Sequence, residues 1–204
     1  MVMPILLCGK SGTGKDYLLN ELLKDKVNNF GKLITYTTRP PREGEIDGVN
    51  YHFLSKEEFI NKKNKNEFYE FNILESNNHY YGTSISSIDN AINEDQPKVI
   101  IIEPEGANRI LDGYYDQVFV AYIDVDNETL KNRLLNRHKD NEDVANERYY
   151  KEIEENWKDK LTRVDIVLDG NQNVEELKEK LLEKYNFVLS NGIQKNKKKS
   201  CKIP

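Results

Sequence analysis

The first residues that could do chemistry form a glycine-rich loop, residues 9–16, which reads GKSGTGKD. A short apolar run, residues 5–8, precedes the loop, and residues 17–23 follow it with helical spacing of their leucines. A strand, a glycine-rich turn and a helix together form a phosphate site, because glycines let backbone N–H groups approach the anion and the helix start adds its positive dipole end. Lys15 adds a full positive charge. We therefore predict that this loop binds phosphate.

A second stretch, residues 37–53, reads TTRPPREGEIDGVNYHF and places Arg39 and Arg42 on either side of a rigid proline pair. Two guanidinium groups held in this way can grip one phosphate, and the hydroxyl of Tyr51 can add a third donor. The alternative is a solvated basic turn. Because the chain has only 7 arginines against 23 lysines, two arginines fixed by prolines favour a second phosphate site.

Strands that alternate with helices must position these two stretches. Residues 98–102 form a continuous apolar run, which is typical of a parallel strand that is buried on both faces. The alternation predicts an α/β fold with helices on both faces of a parallel sheet, and with ligands at the carboxyl ends of the strands. The segment from residue 37 to residue 90 interrupts this alternation, and we interpret it as an inserted lobe.

Apolar spacing and capping residues predict the individual elements. Ser55 and Glu58 form a capping box at a helix start. The four-residue spacing of Tyr149, Ile153, Trp157 and Leu161 predicts a helix over 143–161. The expected strands are 3–8, 32–35, 67–74, 80–82, 98–102, 117–123 and 164–168. The expected helices are 15–27, 56–63, 86–93, 106–111, 127–137, 143–161 and 174–185.

Composition limits the classes of protein to which this chain can belong. With 204 residues, 32% of them charged, and a net charge of −5, the chain can form one domain with a core and does not suggest nucleic-acid binding. No apolar stretch is long enough to span a membrane, and we identify no signal peptide. Cys8 and Cys201 lie far apart in the sequence, which favours a reduced, cytoplasmic setting. Residues 188–204 carry five lysines and no acid, so we expect a basic, flexible tail.

Between residues 3 and 185 the sequence resembles the guanylate kinases, which are nucleoside-monophosphate kinases that transfer a phosphoryl group from ATP to GMP. The 37–53 stretch is the most specific part of the resemblance, because many families share a phosphate loop. The resemblance implies a three-layer αβα P-loop kinase core with a parallel sheet, made of residues 1–36 and 91–187. It also implies a small mixed-β lobe for GMP at residues 37–90, and a short helical lid at about residues 137–150.

The same resemblance implies roles for individual residues. ATP would contact Gly9, Ser11, Gly12, Thr13, Gly14, Lys15 and Asp16. The GMP phosphate would contact Arg39, Arg42, Tyr51 and Tyr81, and guanine would face Thr35, Glu70, Thr83 and Glu103. Charge on the transferring phosphoryl group would be neutralised by Lys15, Arg137 and Arg148. An ionised Glu70 can accept hydrogen bonds from guanine N1–H and its amino group, whereas adenine lacks this pair of donors.

Two departures from the family pattern fall where such enzymes hold Mg²⁺ with ATP. The serine or threonine that usually follows the loop lysine is Asp16, and the first acid of the usual Asp-hydrophobic-Asp pattern is Ile101. Glu103 stands at the position of the second acid. We hypothesise that Asp16 supplies the carboxylate missing at position 101 and binds Mg²⁺ directly or through water.

Two other interpretations use the same residues. Ribose 1,5-bisphosphate phosphokinases are similar in having Gly-Lys-Asp in the loop, but they lack the full 37–53 pattern. A non-catalytic guanylate-kinase-like interaction module is the second alternative, and the intact phosphate loop argues against it. His52, His79 and His138 lack the mutual spacing of metal ligands, while Arg133 fits a helix surface as well as a lid. The sequence leaves open GMP or dGMP as acceptor, and a monomer or a homodimer.

Overall fold

The computed structural model describes residues 2–74, 78–137, 141–154 and 156–200, with the backbone alone for residue 74 and residues 192–200. The strands are β1 (Ile5–Cys8), β2 (Gly31–Lys32), β3 (Tyr36–Thr37), β4 (His52–Phe53), β5 (Phe68–Leu74), β6 (His79–Ser84), β7 (Lys98–Ile101), β8 (Phe119–Asp124) and β9 (Ile166–Asp169). The helices are α1 (Lys15–Leu23), α2 (Lys56–Asn64), α3 (Ile85–Asn93), α4 (Pro104–Tyr114), α5 (Asn127–Arg137), α6 (Glu142–Glu154) and α7 (Val174–Ser200).

The main sheet is parallel, with the strand order β2-β7-β1-β8-β9. Strand β1 is apolar at every position because its alternate side chains face two different helical layers. On one face, Ile5 packs with Leu18 of α1 and Leu181 of α7. On the other face, Leu6 packs with Ile110 of α4. The predicted α/β fold, with a parallel sheet between two helical layers, is confirmed.

A second sheet has the order β4-β3-β6-β5, in which β3 is parallel to β4 and antiparallel to β6. This is the small mixed sheet that was expected between the first strands and β7. Helix α2 covers it with the buried Phe59, which stacks on Phe68 with ring centroids 4.5 Å apart. Helix α2 begins with the predicted capping box, since the backbone N–H groups of Glu58 and Ser55 each donate to the side chain of the other residue.

The predicted helix over 143–161 is wrong at its C-terminal end. Helix α6 ends at Glu154, and residues 157–160 form a turn. Tyr149 and Ile153 pack on a small cluster around α5, whereas Trp157 and Leu161 pack on the core beneath α4. The regular spacing therefore joins side chains that belong to two different cores.

Several other boundaries differ from the expected ones, and the short strand β4 was not expected. Of the expected strand over 32–35, only Lys32 lies in a strand, and β3 begins at Tyr36, because the chain crosses here from the main sheet to the mixed sheet. Helix α1 ends at Leu23, and helix α7 continues to Ser200, through most of the lysine-rich segment. Within the described ranges, no helix is both long and apolar enough to cross a membrane.

Candidate active site

The phosphate loop joins β1 to α1 at the carboxyl end of the main sheet. Its glycines Gly9, Gly12 and Gly14 have φ angles of 149°, 86° and 102°, a region that L side chains rarely adopt. A Cβ atom at position 9 would lie 2.6 Å from the carbonyl oxygen of Ile123, so only glycine fits there. The glycines therefore let the loop lie directly against the end of β8.

Lys15 lies under this loop and helps to hold its shape. Its Nζ donates to the carbonyl oxygens of Gly9 and Lys10, each at 2.7 Å. Burial lowers the pKa of Lys15, and the negative charges of Glu152 and Asp16 act in the opposite direction. An ammonium group has three N–H donors, so one donor remains available for a phosphate oxygen.

Arg133 of α5 contacts the phosphate loop. The sequence alone did not show whether this arginine lies on the helix surface or in a functional site. Its Nη1 donates to the carbonyl oxygens of Thr13, at 3.2 Å, and Gly12, at 3.4 Å, and its Nη2 donates to Gly170 at 2.8 Å. These partners are 37 to 121 residues away in the sequence. Its position one turn before Arg137 was the only signal that could have indicated this role.

The two expected lid arginines, Arg137 and Arg148, lie on α5 and α6 with exposed side chains. In the described part of the chain, neither guanidinium group has a hydrogen-bond or ion-pair partner. Helix α6 packs along α5 through Tyr149 and Ile153. Arg137 is thus on the helix that contacts the phosphate loop through Arg133, and Arg148 is on the helix packed against it. The catalytic role of both arginines stays a prediction.

An open cleft of about 190 Å³ lies between the mixed sheet and the carboxyl end of β7. Six of the eight side chains expected to bind GMP line it, namely Thr35, Tyr51, Glu70, Tyr81, Thr83 and Glu103. The other lining residues are Asn72, Gly82, Ile101 and Ile102. The cleft therefore brings together residues that are up to 68 positions apart in the sequence.

Glu70 and Thr83 form the most polar wall of the cleft. The hydroxyl of Thr83 donates to Glu70 Oε1 at 2.6 Å. Burial raises the pKa of Glu70, and the charge of Glu103 adds to this effect, while the Thr83 hydrogen bond and the charge of Arg109 oppose it. Helix α4 can approach because position 106 is glycine: a Cβ atom there would lie 2.7 Å from Glu70 Cγ.

Asn72 is a cleft residue that sequence reasoning missed. Its Nδ2 donates to Glu103 Oε2 at 3.1 Å, so it links β5 to the N-cap of α4. Side chains two residues apart in a strand lie on the same face. The expected strand over 67–74 therefore placed Asn72 on the face of Glu70, and this spacing was the available signal. The register agrees, since Glu70 lies opposite Thr83 and Asn72 lies opposite Tyr81 of β6.

Arg39 lies at the tyrosine end of the cleft and is 9% exposed. Its Nη2 donates to Glu45 Oε1 at 2.8 Å, and its guanidinium carbon lies 5.5 Å from the centre of the Tyr51 ring. Hydrogen bonds to Glu45 and Tyr81 raise the pKa of Arg39, with the Glu45 bond as the largest cause. Arg39 thus meets both predicted phosphate-binding tyrosines. Arg42 is exposed, and its backbone N–H donates to Glu45 Oε2 at 2.7 Å.

Glu45 is the second residue that sequence reasoning missed at this end. It holds the guanidinium group of Arg39 with one oxygen and the backbone of Arg42 with the other. These hydrogen bonds lower the pKa of Glu45 to about 2, and the bond from Arg39 is the largest cause. An acid between two arginines and a glycine turn was the available signal. The proline pair and Glu45 together fix the position of Arg39.

The residues at the two departures from the family pattern lie on different elements. Asp16 is exposed in the first turn of α1, while Ile101 lines the cleft at the end of β7. Among the described residues, no group of three or more His, Cys, Asp or Glu side chains is arranged to hold a metal ion. The carboxylate of Asp16 nevertheless fits Mg²⁺, which typically uses one or two carboxylates together with substrate phosphates and waters.

Comparisons with known proteins agree on one family. The family model described as guanylate kinase matches residues 1–194. A guanylate kinase from Clostridium perfringens is 34% identical over 194 residues, which cover 88% of each chain. A guanylate kinase from Clostridium tetani is 38% identical over 152 residues, or 73% of this chain and 71% of the relative.

Solved structures agree in fold. A guanylate kinase from Anaplasma phagocytophilum superposes with a TM-score of 0.62 at 20% identity, over 94% of this chain and 86% of its own. A gluconokinase from Sinorhizobium meliloti reaches a TM-score of 0.51 at 13% identity, over 93% and 94%. These structural likenesses show the fold alone, since kinases with different acceptors share it. Because the family model spans almost the whole chain and the relatives exceed 30% identity, this chain belongs to the guanylate kinase family.

Proposed function

We propose that this protein transfers the γ-phosphoryl group of ATP to GMP and releases ADP and GDP. The observation that carries the proposal is one cleft with two chemically different ends. One end presents the carboxylate of Glu70 with Thr83, and the other presents tyrosines beside Arg39. A purine with adjacent N–H donors and a phosphate group complements these two ends. Neither alternative considered from the sequence is favoured by the relatives.

The phosphates of ATP would bind at the loop between β1 and α1. Backbone N–H groups of residues 9–16 and the free donor of Lys15 would face the β- and γ-phosphates. Arg133 already holds the loop from α5, so we assign it a positioning role. Arg137 and Arg148 would close over the γ-phosphoryl group, and their exposed guanidinium groups leave them available for it.

GMP would bind in the cleft with its base toward Glu70 and its phosphate toward Arg39. An ionised Glu70 accepts two hydrogen bonds from guanine, while Thr83 keeps the carboxylate oriented. AMP would leave this carboxylate without donors, which penalises its binding. Arg39, Arg42 and the hydroxyl of Tyr51 would neutralise the acceptor phosphate. We include dGMP as an acceptor, because no side chain is assigned to the ribose 2′-hydroxyl.

The reaction needs alignment and charge neutralisation more than proton transfer. An oxygen of the GMP phosphate attacks the γ-phosphorus in line, the bond to the β–γ bridging oxygen breaks, and ADP leaves with that electron pair. The acceptor oxygen is already ionised near neutral pH, so no general base is required. A bound Mg²⁺ would neutralise charge on the donor phosphates, with Asp16 as its protein ligand. Closure of α5 and α6 would exclude water.

An acceptor panel tests this proposal. The purified protein is given ATP with GMP, dGMP, AMP or ribose 1,5-bisphosphate, with and without Mg²⁺, and ADP release is measured by a coupled assay. We expect Mg²⁺-dependent transfer to GMP and dGMP, and little to AMP. Transfer to ribose 1,5-bisphosphate alone would contradict the proposal, as would absence of ATP binding by calorimetry. We also propose a cytoplasmic location, which the free thiol of Cys8 supports.

A further inference from the structure

A buried carboxylate that the reaction above does not use lies on α6. Glu152 is 9% exposed, although α6 is otherwise mostly solvent-facing. Its Oε2 is fully buried and has no hydrogen-bond partner among the described residues. Burying an unpaired carboxylate oxygen is costly, so such an atom indicates a partner that binds there.

The surroundings of Glu152 place it at the phosphate loop. Against the effect of burial, its negative charge raises the pKa of Lys15 more than the charge of Asp16 or Glu103 does. Burial is the largest cause of the raised pKa of Tyr122, near the carboxyl end of β8, and the charge of Glu152 raises it further. The next residue, Ile153, packs with Leu130 and Leu134 of α5, and a Cβ atom at Gly12 would lie 3.3 and 3.4 Å from these two leucines. This turn of α6 therefore lies beside the phosphate loop.

The phosphates of ATP would enter this same region, and they would repel a carboxylate. Lys15 cannot remove the repulsion alone, because two of its three donors already bind the loop carbonyl oxygens of Gly9 and Lys10. A divalent cation would remove it, since Mg²⁺ binds through one or two carboxylates together with phosphate oxygens. The family pattern places an acid at position 101 for this region, and this chain has Ile101 there.

We propose that Glu152, together with Asp16, is a carboxylate ligand of the divalent cation that accompanies ATP. The proposal rests on the proposed ATP-dependent function. It assigns to α6 the acidic group that is absent at the carboxyl end of β7, where this chain has Ile101. One carboxylate of the site then belongs to the loop helix α1, and the other belongs to the helix that carries Arg148.

Substitution E152Q tests this assignment, because it removes the charge and keeps the shape of the side chain. The matched control is E154Q, two residues away on the same helix with an exposed side chain. Binding of Mn²⁺ to the complex of each protein with a non-hydrolysable ATP analogue is measured by electron paramagnetic resonance. Calorimetry measures analogue binding in the absence of any divalent cation, so both measurements are independent of turnover.

We expect E152Q to weaken Mn²⁺ binding in this complex by about tenfold or more, while E154Q keeps the wild-type affinity. Metal-free analogue should bind E152Q at least as tightly as wild type, because a repelling charge has been removed. Unchanged Mn²⁺ affinity in E152Q would overturn the assignment. So would an equal loss of analogue affinity with and without metal, which would instead make Glu152 a structural partner of Lys15. Failure of the wild-type protein to phosphorylate GMP would contradict the proposed function separately.

Discussion

Replacing Glu70 with glutamine tests how the cleft recognises its base. In the structure Glu70 Oε1 accepts the hydroxyl hydrogen of Thr83 at 2.6 Å. The single carbonyl oxygen of glutamine can keep that hydrogen bond, and its NH₂ group then takes the place of the second carboxylate oxygen. This NH₂ group would face the N–H donors of guanine, so two donors would meet where an acceptor was present.

The size of the effect follows from the hydrogen bonds that E70Q removes. A hydrogen bond to a charged group contributes about 1.5–3 kcal/mol. In E70Q one such bond is replaced by a contact between two donors and the other loses its charged acceptor, so the two changes together cost roughly 3–6 kcal/mol. This range corresponds to a loss of roughly 10²- to 10⁴-fold in kcat/KM for GMP. ATP binding should be unchanged, because the phosphate loop lies at the end of another strand. The ratio of kcat/KM for GMP to kcat/KM for AMP should be smaller in E70Q than in wild type.

Steady-state kinetics with GMP and ATP varied separately measures this loss. The control is E67Q, since Glu67 lies just before β5 and pairs with Lys62 at 2.7 Å, outside the cleft. A fall of less than about tenfold in kcat/KM for GMP would refute the base-reading role, because one lost charged hydrogen bond already predicts more. An equal rise in KM for ATP would also refute it.

The pKa of Glu70 adds a pH dependence to the same prediction. Only the ionised carboxylate accepts both guanine donors, and burial raises the pKa of this group. The KM of wild type for GMP should therefore rise as pH falls through that raised pKa, and the KM of E70Q should not. A raised carboxyl pKa in the folded state also means that ionisation lowers stability as pH rises. At neutral pH the melting temperature of E70Q should then equal or exceed that of wild type.

Other substitutions test the remaining contacts. K15M should lower kcat by roughly 10²- to 10³-fold in steady-state assays, since it removes a charged donor from the phosphates, and an unchanged kcat would exclude this role. E45A should raise the KM for GMP by about threefold to tenfold, because it removes the hydrogen bonds that hold the Arg39 guanidinium group and the Arg42 backbone. A lower KM would show that Glu45 competes with the acceptor phosphate. G106A should raise the KM for GMP by about tenfold, with ATP binding by calorimetry unchanged, because overpacking of about 1–3 kcal/mol would displace Glu70. Wild-type kinetics in G106A would show that α4 can shift without disturbing the cleft.

Local features of the fold were predictable from the sequence. The phosphate loop depends on a strand, glycines and a helix within residues 5–23, so its pattern is continuous in the chain. The capping box at Ser55 is equally local, as both of its hydrogen bonds span three residues. The fold class followed from the alternation of such elements. The convergence of Glu70 and Tyr51 was available only through resemblance, because residue type alone does not bring distant strands together.

Other features depend on contacts that no local pattern reveals. Ile153 and Trp157 are four residues apart, which is helical spacing and predicted a single helix. This spacing could not show that their side chains pack in two different cores. Arg133 meets the phosphate loop across more than 100 residues of sequence. Glu45 and Asn72 act through hydrogen bonds to residues already assigned, so their roles depend on the placement of those partners.

The acids around the phosphate loop give this chain a distribution of charge that differs from its family pattern. An acid at position 101 would sit at the end of a rigid sheet strand, whereas Asp16 and Glu152 belong to helices. If both carboxylates bind the same cation, that cation joins the loop to α6 and favours the closed arrangement. Without the cation, Glu152 repels the phosphates and opposes closure. Metal binding and closure should therefore be coupled in this protein, and E152Q should weaken both together while leaving metal-free nucleotide binding intact.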